Sequence, residues 1–92
     1  MIGERVPDYR IVLARSAIRE LSRVPNPTKD RVTLAIEHLA DEPRPRGVEK
    51  LSGHNSLYRI RVGHYRIIYQ IDDSKRVIDT VRIRTRGAAY RL

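Results

Sequence analysis

Residues 57–71 read LYRIRVGHYRIIYQI, and this stretch decides the fold. Apolar and arginine side chains alternate up to Val62, and the alternation resumes at Tyr65, which is the two-residue period of a half-buried strand. Gly63 and His64 are predicted to form a two-residue turn, because glycine readily adopts the positive φ that such turns require. The stretch therefore predicts an antiparallel hairpin of strands 57–62 and 65–71.

The length of this turn determines which side chains lie opposite each other. It pairs Arg61 with Arg66 and places Arg59 across from Ile68, so that the three arginines share one face of the sheet. Like charges directly opposite each other destabilise a sheet by a few tenths to about 1 kcal/mol. Because threonine or glutamine would keep the alternation, this arrangement indicates an anionic partner. The alternative is that the arginine side chains splay apart and pair with carboxylates elsewhere.

The segments before and after the hairpin have their own periods. Residues 9–13 and 76–84 are predicted to be strands, and two helices with apolar residues at three- and four-residue spacing lie between the first strand and the hairpin. The apolar stripes of these helices consist of Ala17, Ile18, Leu21 and Val24, then of Val32, Ala35, Ile36 and Leu39. Ser16 and Thr28 are the predicted N-caps, and the prolines at 25 and 27 separate the helices.

The resulting order, β-α-α-β-β-β, predicts an α+β domain that covers residues 1–92. In it, the two-helix hairpin packs on one face of a small antiparallel-rich sheet, and the other face is partly open. Arg82 and Arg84 share parity in the last strand. The turn at 72–75 can hold three, four or five residues, so the spacing leaves open which face Arg84 occupies.

The charge of the chain is concentrated in its second half. The chain contains 19 Lys+Arg against 11 Asp+Glu, which gives a net charge of +8. Basic and acidic residues cancel over residues 1–43, so the excess lies in 44–92. Of the basic residues only three are lysines, a bias that suits forked contacts to phosphate or reflects a GC-rich genome.

Several classes of chemistry are not expected from this composition. The chain has no Cys, which excludes thiolate zinc sites and a cysteine nucleophile. Metal-ligand spacing, a glycine-rich phosphate loop and a Ser-His-Asp signature are not found either. We expect no metal and no cofactor, and, without a signal peptide or a membrane span, a cytoplasmic location. An enzyme made of these residues would act mainly through electrostatic stabilisation.

The motif in residues 58–69 resembles the central hairpin of the RelE/ParE superfamily of bacterial toxins. The proline-rich break between the helices, the Pro-Arg-Pro-x-Gly loop at 43–47, and the Lys-Leu-Ser-Gly segment at 50–53 agree with this resemblance. The chain also ends in the pattern Arg-x-Arg-x-x-x-Tyr, formed by Arg84, Arg86 and Tyr90. This ending is more similar to RelE-type mRNA endonucleases than to ParE-type gyrase poisons.

The resemblance implies a metal-independent toxin that enters the A site of the 70S ribosome and cleaves mRNA. The 2′-hydroxyl attacks the adjacent phosphate and leaves a 2′,3′-cyclic phosphate. Arg66 would stabilise the charged phosphate, Arg84 would protonate or stabilise the leaving 5′-oxygen, and Tyr90 would stack on or orient the substrate. A cognate RelB-like antitoxin is the implied protein partner. The implied catalytic residues are Arg59, Arg61, Arg66, Arg84 and Tyr90, and the expected RNA-binding residues are Arg82, Arg86, Lys50, Arg44 and Arg46.

Two positions depart from the family pattern, because Arg59 and Arg61 stand where well-studied members often have lysine. A side chain can act as a general base only in its deprotonated form, and arginine essentially never adopts that form. Either the chemistry runs on charge stabilisation and on positioning by the ribosome, or the activity is weaker than in lysine-bearing relatives. A ParE-like gyrase poison and a general nucleic-acid-binding domain are the alternative functions.

Overall fold

Residues 8–51 and 56–85 are described by the computed structural model, and they form a five-stranded sheet with two helices. The elements are β1 (Arg10–Leu13), α1 (Arg15–Ser22), α2 (Thr28–His38), β2 (Glu49–Lys50), β3 (Leu57–Val62), β4 (Tyr65–Asp72) and β5 (Val77–Thr85). The strand order is β1-β5-β4-β3-β2, in which β1 runs parallel to β5 and the other pairs are antiparallel. The predicted α+β class is confirmed. Strand β2 was not predicted, because two residues are too few to show a period.

The central hairpin has the predicted register. Arg61 pairs with Arg66, and Arg59 lies opposite Ile68. The turn consists of Gly63 and His64, and Gly63 has a φ of 59°. This value lies in the left-handed region that residues with a side chain rarely adopt, so the glycine fixes the turn and, through it, the register.

The hydrophobic core lies between the helices and one face of the sheet, which we call the helix side. The predicted stripe of α2 is confirmed, since Val32, Ile36 and Leu39 are buried there. In α1, Ala17 is buried but Ile18 is 56% exposed, so the prediction for Ile18 was wrong. The sheet contributes Tyr58, Ile60, Ile67, Tyr69, Ile71, Ile78 and Ile83 to the core.

Helix α1 continues the path of β1 along the outer edge of β5, and this position explains why the predicted N-cap at Ser16 was wrong. The backbone N–H of Ala14 donates to the carbonyl of Thr80 at 2.8 Å, and Ser16 Oγ donates to the carbonyl of Val81 at 2.9 Å. The Ser16 hydroxyl is thus a hydrogen-bond donor to the edge of β5 and does not cap the helix, whose N-cap position is occupied by Ala14. The prediction for Thr28 was also wrong, because Thr28 is already the first helical residue of α2.

Strand β5 carries a one-residue bulge at Val81. Tyr69 pairs with Thr80 and Ile68 pairs with Arg82, so that Val81 is the extra residue between these two pairs. An extra residue reverses the face on which all later side chains lie. Arg82 therefore lies on the face opposite the helices, whereas an unbroken alternation would place it on the same face as Thr80.

The loop that follows α2 is held against the helix side of the sheet by Arg44. The guanidinium donates to both carboxylate oxygens of Asp73, at 3.4 and 2.9 Å, and lies over the Tyr58 ring at 5.1 Å from its centroid. Burial raises the pKa of Tyr69, and its hydroxyl donates to the carbonyl of Pro43 at 2.7 Å. These contacts fix the position of residues 43–44 relative to the sheet.

Replacing Asp73 with asparagine should remove part of the pH dependence of stability. Hydrogen bonds from Arg44 and from Tyr9 lower the pKa of Asp73. A depressed pKa in the folded state stabilises the fold above the unfolded pKa of about 3.9, and this stabilisation is lost as the pH falls through the folded pKa. We expect a lower unfolding midpoint for Asp73→Asn at pH 7 and convergence with the unmodified protein once the pH falls below the lowered pKa of Asp73. Melting curves that stay parallel from pH 7 to pH 2 would contradict this assignment.

Candidate functional site

Arg61, Arg66 and Arg84 occupy aligned positions on β3, β4 and β5, and we call them the arginine row. Each of the three has a core isoleucine as a neighbour in sequence, and the alternation along a strand therefore places the row on the face opposite the helices. Side chains directly opposite each other on a sheet have Cβ atoms about 4.5–5.5 Å apart. Three cations thus lie across three adjacent strands. The spacing in the sequence left open which face Arg84 occupies, and the bulge at Val81 places it on the face opposite the helices.

A second set of aligned positions, formed by Arg59, Ile68 and Arg82, lies beside the arginine row. Ile68 is fully buried although it does not belong to the helix-side core. The face opposite the helices is therefore less open than predicted at this point. The aliphatic part of an arginine side chain can cover apolar surface while its guanidinium stays in water. This accounts for a buried Ile68 between Arg59 and Arg82.

Arg66 is the unusual member of the row, because only 4% of its surface is exposed. Among the described residues, neither a hydrogen bond nor an ion pair involves its guanidinium, and the same holds for the exposed Arg61. A buried cation without a partner has lost hydration that no carboxylate replaces. The centre of the row is therefore suited to receive an anion.

The other three arginines on this face, in contrast, are paired with carboxylates. Glu49 on β2 accepts a hydrogen bond from Arg59 at 3.0 Å. Glu20 on α1 accepts from Arg84 Nε at 2.9 Å and lies 3.9 Å from Arg82. Pairing with carboxylates thus applies to Arg59, Arg82 and Arg84, and among the described residues it does not apply to Arg61 and Arg66.

Sequence reasoning missed both of these acidic residues. Glu20 is separated from Arg84 by 64 residues, and a contact across that distance has no local signature. Glu49 lies in β2, the strand that the pattern did not show. The one usable signal for Glu20 is that it is the single acidic residue of helix α1, which also contains two arginines.

A cavity of about 660 Å³ opens between the C-terminal end of α2, the loop after it, and β3. Arg59, Arg61 and Arg66 line this cavity, and Arg46 and Glu49 contribute to its wall. The volume lies within the range of clefts that hold small ligands, about 300–1,000 Å³. Two members of the arginine row, Arg61 and Arg66, are therefore accessible from a cavity of the size that holds small ligands, whereas Arg84 is not part of its lining.

The structure does not bring all the predicted RNA-binding residues to this face. Arg44 lies on the helix side with Asp73 and Tyr58, and Lys50 is exposed on β2 opposite Tyr58 in the register. Arg46 and Arg82 lie near the row, as described above. Arg86 and Tyr90 fall outside the described residues.

Within residues 8–51 and 56–85, no three His, Cys, Asp or Glu side chains are grouped so that they could hold a metal ion. In the same ranges, no helix is both long and apolar enough to cross a membrane.

Comparison with known families gives a match over most of the chain. Residues 11–90 match the model of the family described as the ParE toxin of type II toxin–antitoxin systems, parDE. The match includes the hairpin, the bulged strand β5 and the C-terminal tyrosine.

Individual relatives carry the name RelE. Toxin RelE of Mycobacterium tuberculosis is 28% identical over 85 residues, which cover 91% of this chain and 88% of that protein. Among solved structures, the archaeal RelE–RelB complex from Pyrococcus horikoshii matches with a TM-score of 0.78 and 32% identity, covering 87% of this chain and 97% of that one. The RelB–RelE complex from Methanococcus jannaschii matches with a TM-score of 0.71 and 26% identity, at 87% and 95% coverage.

Proposed function

The chain belongs to the RelE/ParE superfamily of toxins from type II toxin–antitoxin systems, and we propose that it is a ribosome-dependent endoribonuclease that cleaves mRNA in the A site. The observation that carries this proposal is Arg66, which is 4% exposed and has no partner for its guanidinium within residues 8–51 and 56–85, at the centre of three aligned arginines. RNA supplies a phosphate to pair with it and a 2′-hydroxyl to act as the nucleophile.

In the proposed reaction, the 2′-oxygen forms a bond to phosphorus while the bond from phosphorus to the 5′-oxygen breaks. Arg66 and Arg61 would balance the negative charge that grows on the phosphoryl oxygens, which is the role of preorganised donors in such transition states. Arg84 would stabilise the negative charge on the leaving 5′-oxygen, which takes its proton from water, while the proton of the 2′-hydroxyl passes to water. Tyr90 is proposed to stack on or orient the substrate.

The general base remains outside this set, because an arginine keeps its proton at any working pH. Charge stabilisation and substrate positioning are therefore the proposed contributions of the protein, and the ribosome contributes by holding the mRNA in a reactive geometry. Arg59 is proposed to stabilise the phosphate charge together with Arg61 and Arg66. Arg82, Arg46 and Arg86 are proposed contacts to the RNA backbone, and Lys50 and Arg44, which lie away from the arginine row, are proposed contacts to more distant parts of the RNA.

Two further features complete the proposal. The relatives from Pyrococcus and Methanococcus were solved as complexes of RelE with RelB, and we propose that a RelB-like antitoxin neutralises this chain as well. The proposed location is the cytoplasm, where ribosomes and mRNA are found.

Purified toxin should cut mRNA on programmed 70S ribosomes and leave the same mRNA intact without ribosomes. Mapping the 5′ ends should give cuts in register with the codon in the A site, and the cleaved fragments should end in a 2′,3′-cyclic phosphate. Toxin that has been treated with EDTA and then freed of the chelator before it meets the ribosomes should cleave at the same rate. Intact mRNA on A-site-programmed ribosomes, with toxin whose folding has been verified, would contradict the proposal.

A second function is favoured by one observation, the match to a model of ParE toxins. In this case the protein would bind and poison DNA gyrase without any catalysis of its own. Loss of gyrase supercoiling at a 1:1 ratio of toxin to enzyme, with translation unaffected, would establish this function. Cleavage at low, catalytic amounts of toxin would exclude it as the main activity.

A further inference from the structure

Glu20 makes three contacts with strand β5 from the neighbouring helix α1. Its Oε1 accepts a hydrogen bond from the backbone N–H of Ile83 at 2.8 Å, and its Oε2 accepts from Arg84 Nε at 2.9 Å. The same Oε2 lies 3.9 Å from a terminal nitrogen of Arg82. The side chain of Glu20 is about four-fifths buried, with 20% of its surface exposed.

These contacts restrain Arg84 in a defined way. With Nε bound to Glu20, the planar guanidinium is held at one side, while its two terminal nitrogens have no other partner among the described residues. Arg84 lies opposite Arg66 in the register. The terminal nitrogens are therefore the donors left for an anion at the arginine row.

The geometry points to Glu20 as a positioning residue that fixes the guanidinium of Arg84 for the leaving oxygen of the RNA. This inference rests on the proposed endoribonuclease function and extends it to a residue outside the arginine row. A freely rotating arginine has many conformations to lose, and misplacement of a catalytic group by about 1 Å can lower a rate roughly a hundredfold. Glu20 removes that freedom before the substrate binds.

The two oxygens of Glu20 allow the positioning role to be separated from a purely structural one. In Glu20→Gln, the amide oxygen still accepts from the N–H of Ile83, so the strand edge keeps its partner. The amide nitrogen is a donor, however, and cannot accept from Arg84 Nε. A role restricted to the strand edge thus predicts normal activity for this variant, whereas a positioning role predicts a slow enzyme.

The test is steady-state cleavage of mRNA on programmed ribosomes by the full chain. For Glu20→Gln we expect a kcat lower by roughly 10- to 100-fold and a KM within about twofold. The thermal unfolding midpoint should fall, because a charge-assisted hydrogen bond is lost, but it should stay above the assay temperature. Glu37→Gln is the matched control, because Glu37 is exposed on α2 and its replacement changes the net charge equally. The control should cleave at the unmodified rate.

A double-mutant cycle with Arg84→Lys makes the test specific, because lysine keeps the charge but has no Nε donor. In that background Glu20→Gln should lower kcat by less than about threefold. Full activity of Glu20→Gln, increased activity, or an equal loss in both backgrounds would overturn the inference.

A measurement on the unmodified protein separates this inference from the proposed function. The Nε–H proton of Arg84 should exchange slowly with solvent in an NMR experiment, since it is bound to a partly buried carboxylate. If the unmodified protein does not cleave mRNA, the proposed function fails. Fast exchange of this proton would overturn the role of Glu20 even in an active enzyme.

Discussion

Replacing Arg66 with methionine is expected to lower the rate of mRNA cleavage by about 10²–10³-fold, the loss seen when one preorganised donor is removed from a charged transition state. Methionine fills a similar volume, so the packing around the site should be kept. Induction of the variant in cells should accordingly leave growth and translation close to normal.

The same replacement should leave the stability unchanged or raise it. Arg66 is buried without a partner among the described residues and lies between two further arginines. Replacement of buried charges by apolar side chains of similar volume is often neutral or stabilising. Activity and stability are therefore expected to change in opposite directions, which a general loss of folding cannot produce.

Arg19→Met is the control for charge, because Arg19 is exposed on α1 and is not a member of the arginine row. It lowers the net charge by the same amount and should keep nearly full activity. If Arg66→Met cleaves at the unmodified rate, the arginine row is not the catalytic centre. If it instead unfolds readily, Arg66 has a structural partner that the described residues do not provide.

Replacing Ile67 with alanine should have the largest effect on stability. Ile67 is fully buried on the helix side of the central strand, and it lies between Ile60 and Ile83 on the neighbouring strands. Truncation of a buried isoleucine costs about 2–5 kcal/mol, because transfer energy is lost and a cavity remains. Since small domains are stable by only about 5–15 kcal/mol, much of the stability of the fold would be removed.

Urea denaturation measures this effect, and Ile18→Ala is the matched control. Ile18 is 56% exposed on α1, so its truncation should change the free energy of unfolding by less than about 0.5 kcal/mol. Equal losses for the two variants would contradict the location of the core. Because Ile67 lies next to Arg66 in β4, its truncation should also weaken activity by loosening the arginine row.

The central hairpin was predictable because the sequence features that determine it lie within the hairpin itself. Alternation identifies the strands, and a two-residue turn leaves only one register, so the pairing of Arg61 with Arg66 followed directly. The position of Arg84 was not predictable. It depends on a four-residue connection between β4 and β5 and on the bulge at Val81, and neither has a signature in the spacing of the apolar residues.

The errors in the first helix have a common physical cause. Helical spacing identifies the apolar stripe of a helix. Which residues of that stripe are buried depends on the element against which the helix packs. Helix α1 lies along the edge of β5, so Ala17 is buried, Ile18 is exposed, and the hydroxyl of Ser16 bonds to the strand. The contact between Glu20 and Arg84 arises from the same long-range arrangement.

The bulge at Val81 has a consequence for how this chain is aligned with its relatives. A strand without the extra residue keeps its arginines in phase with those of β3 and β4, so a one-residue gap at Val81 preserves the arginine row. An alignment to such a strand without a gap would be wrong by one position before or after Val81. It would then match the arginines of one protein with core residues of the other. Functional residues in β5 are therefore best transferred by strand register, counted back from Thr85 opposite Tyr65.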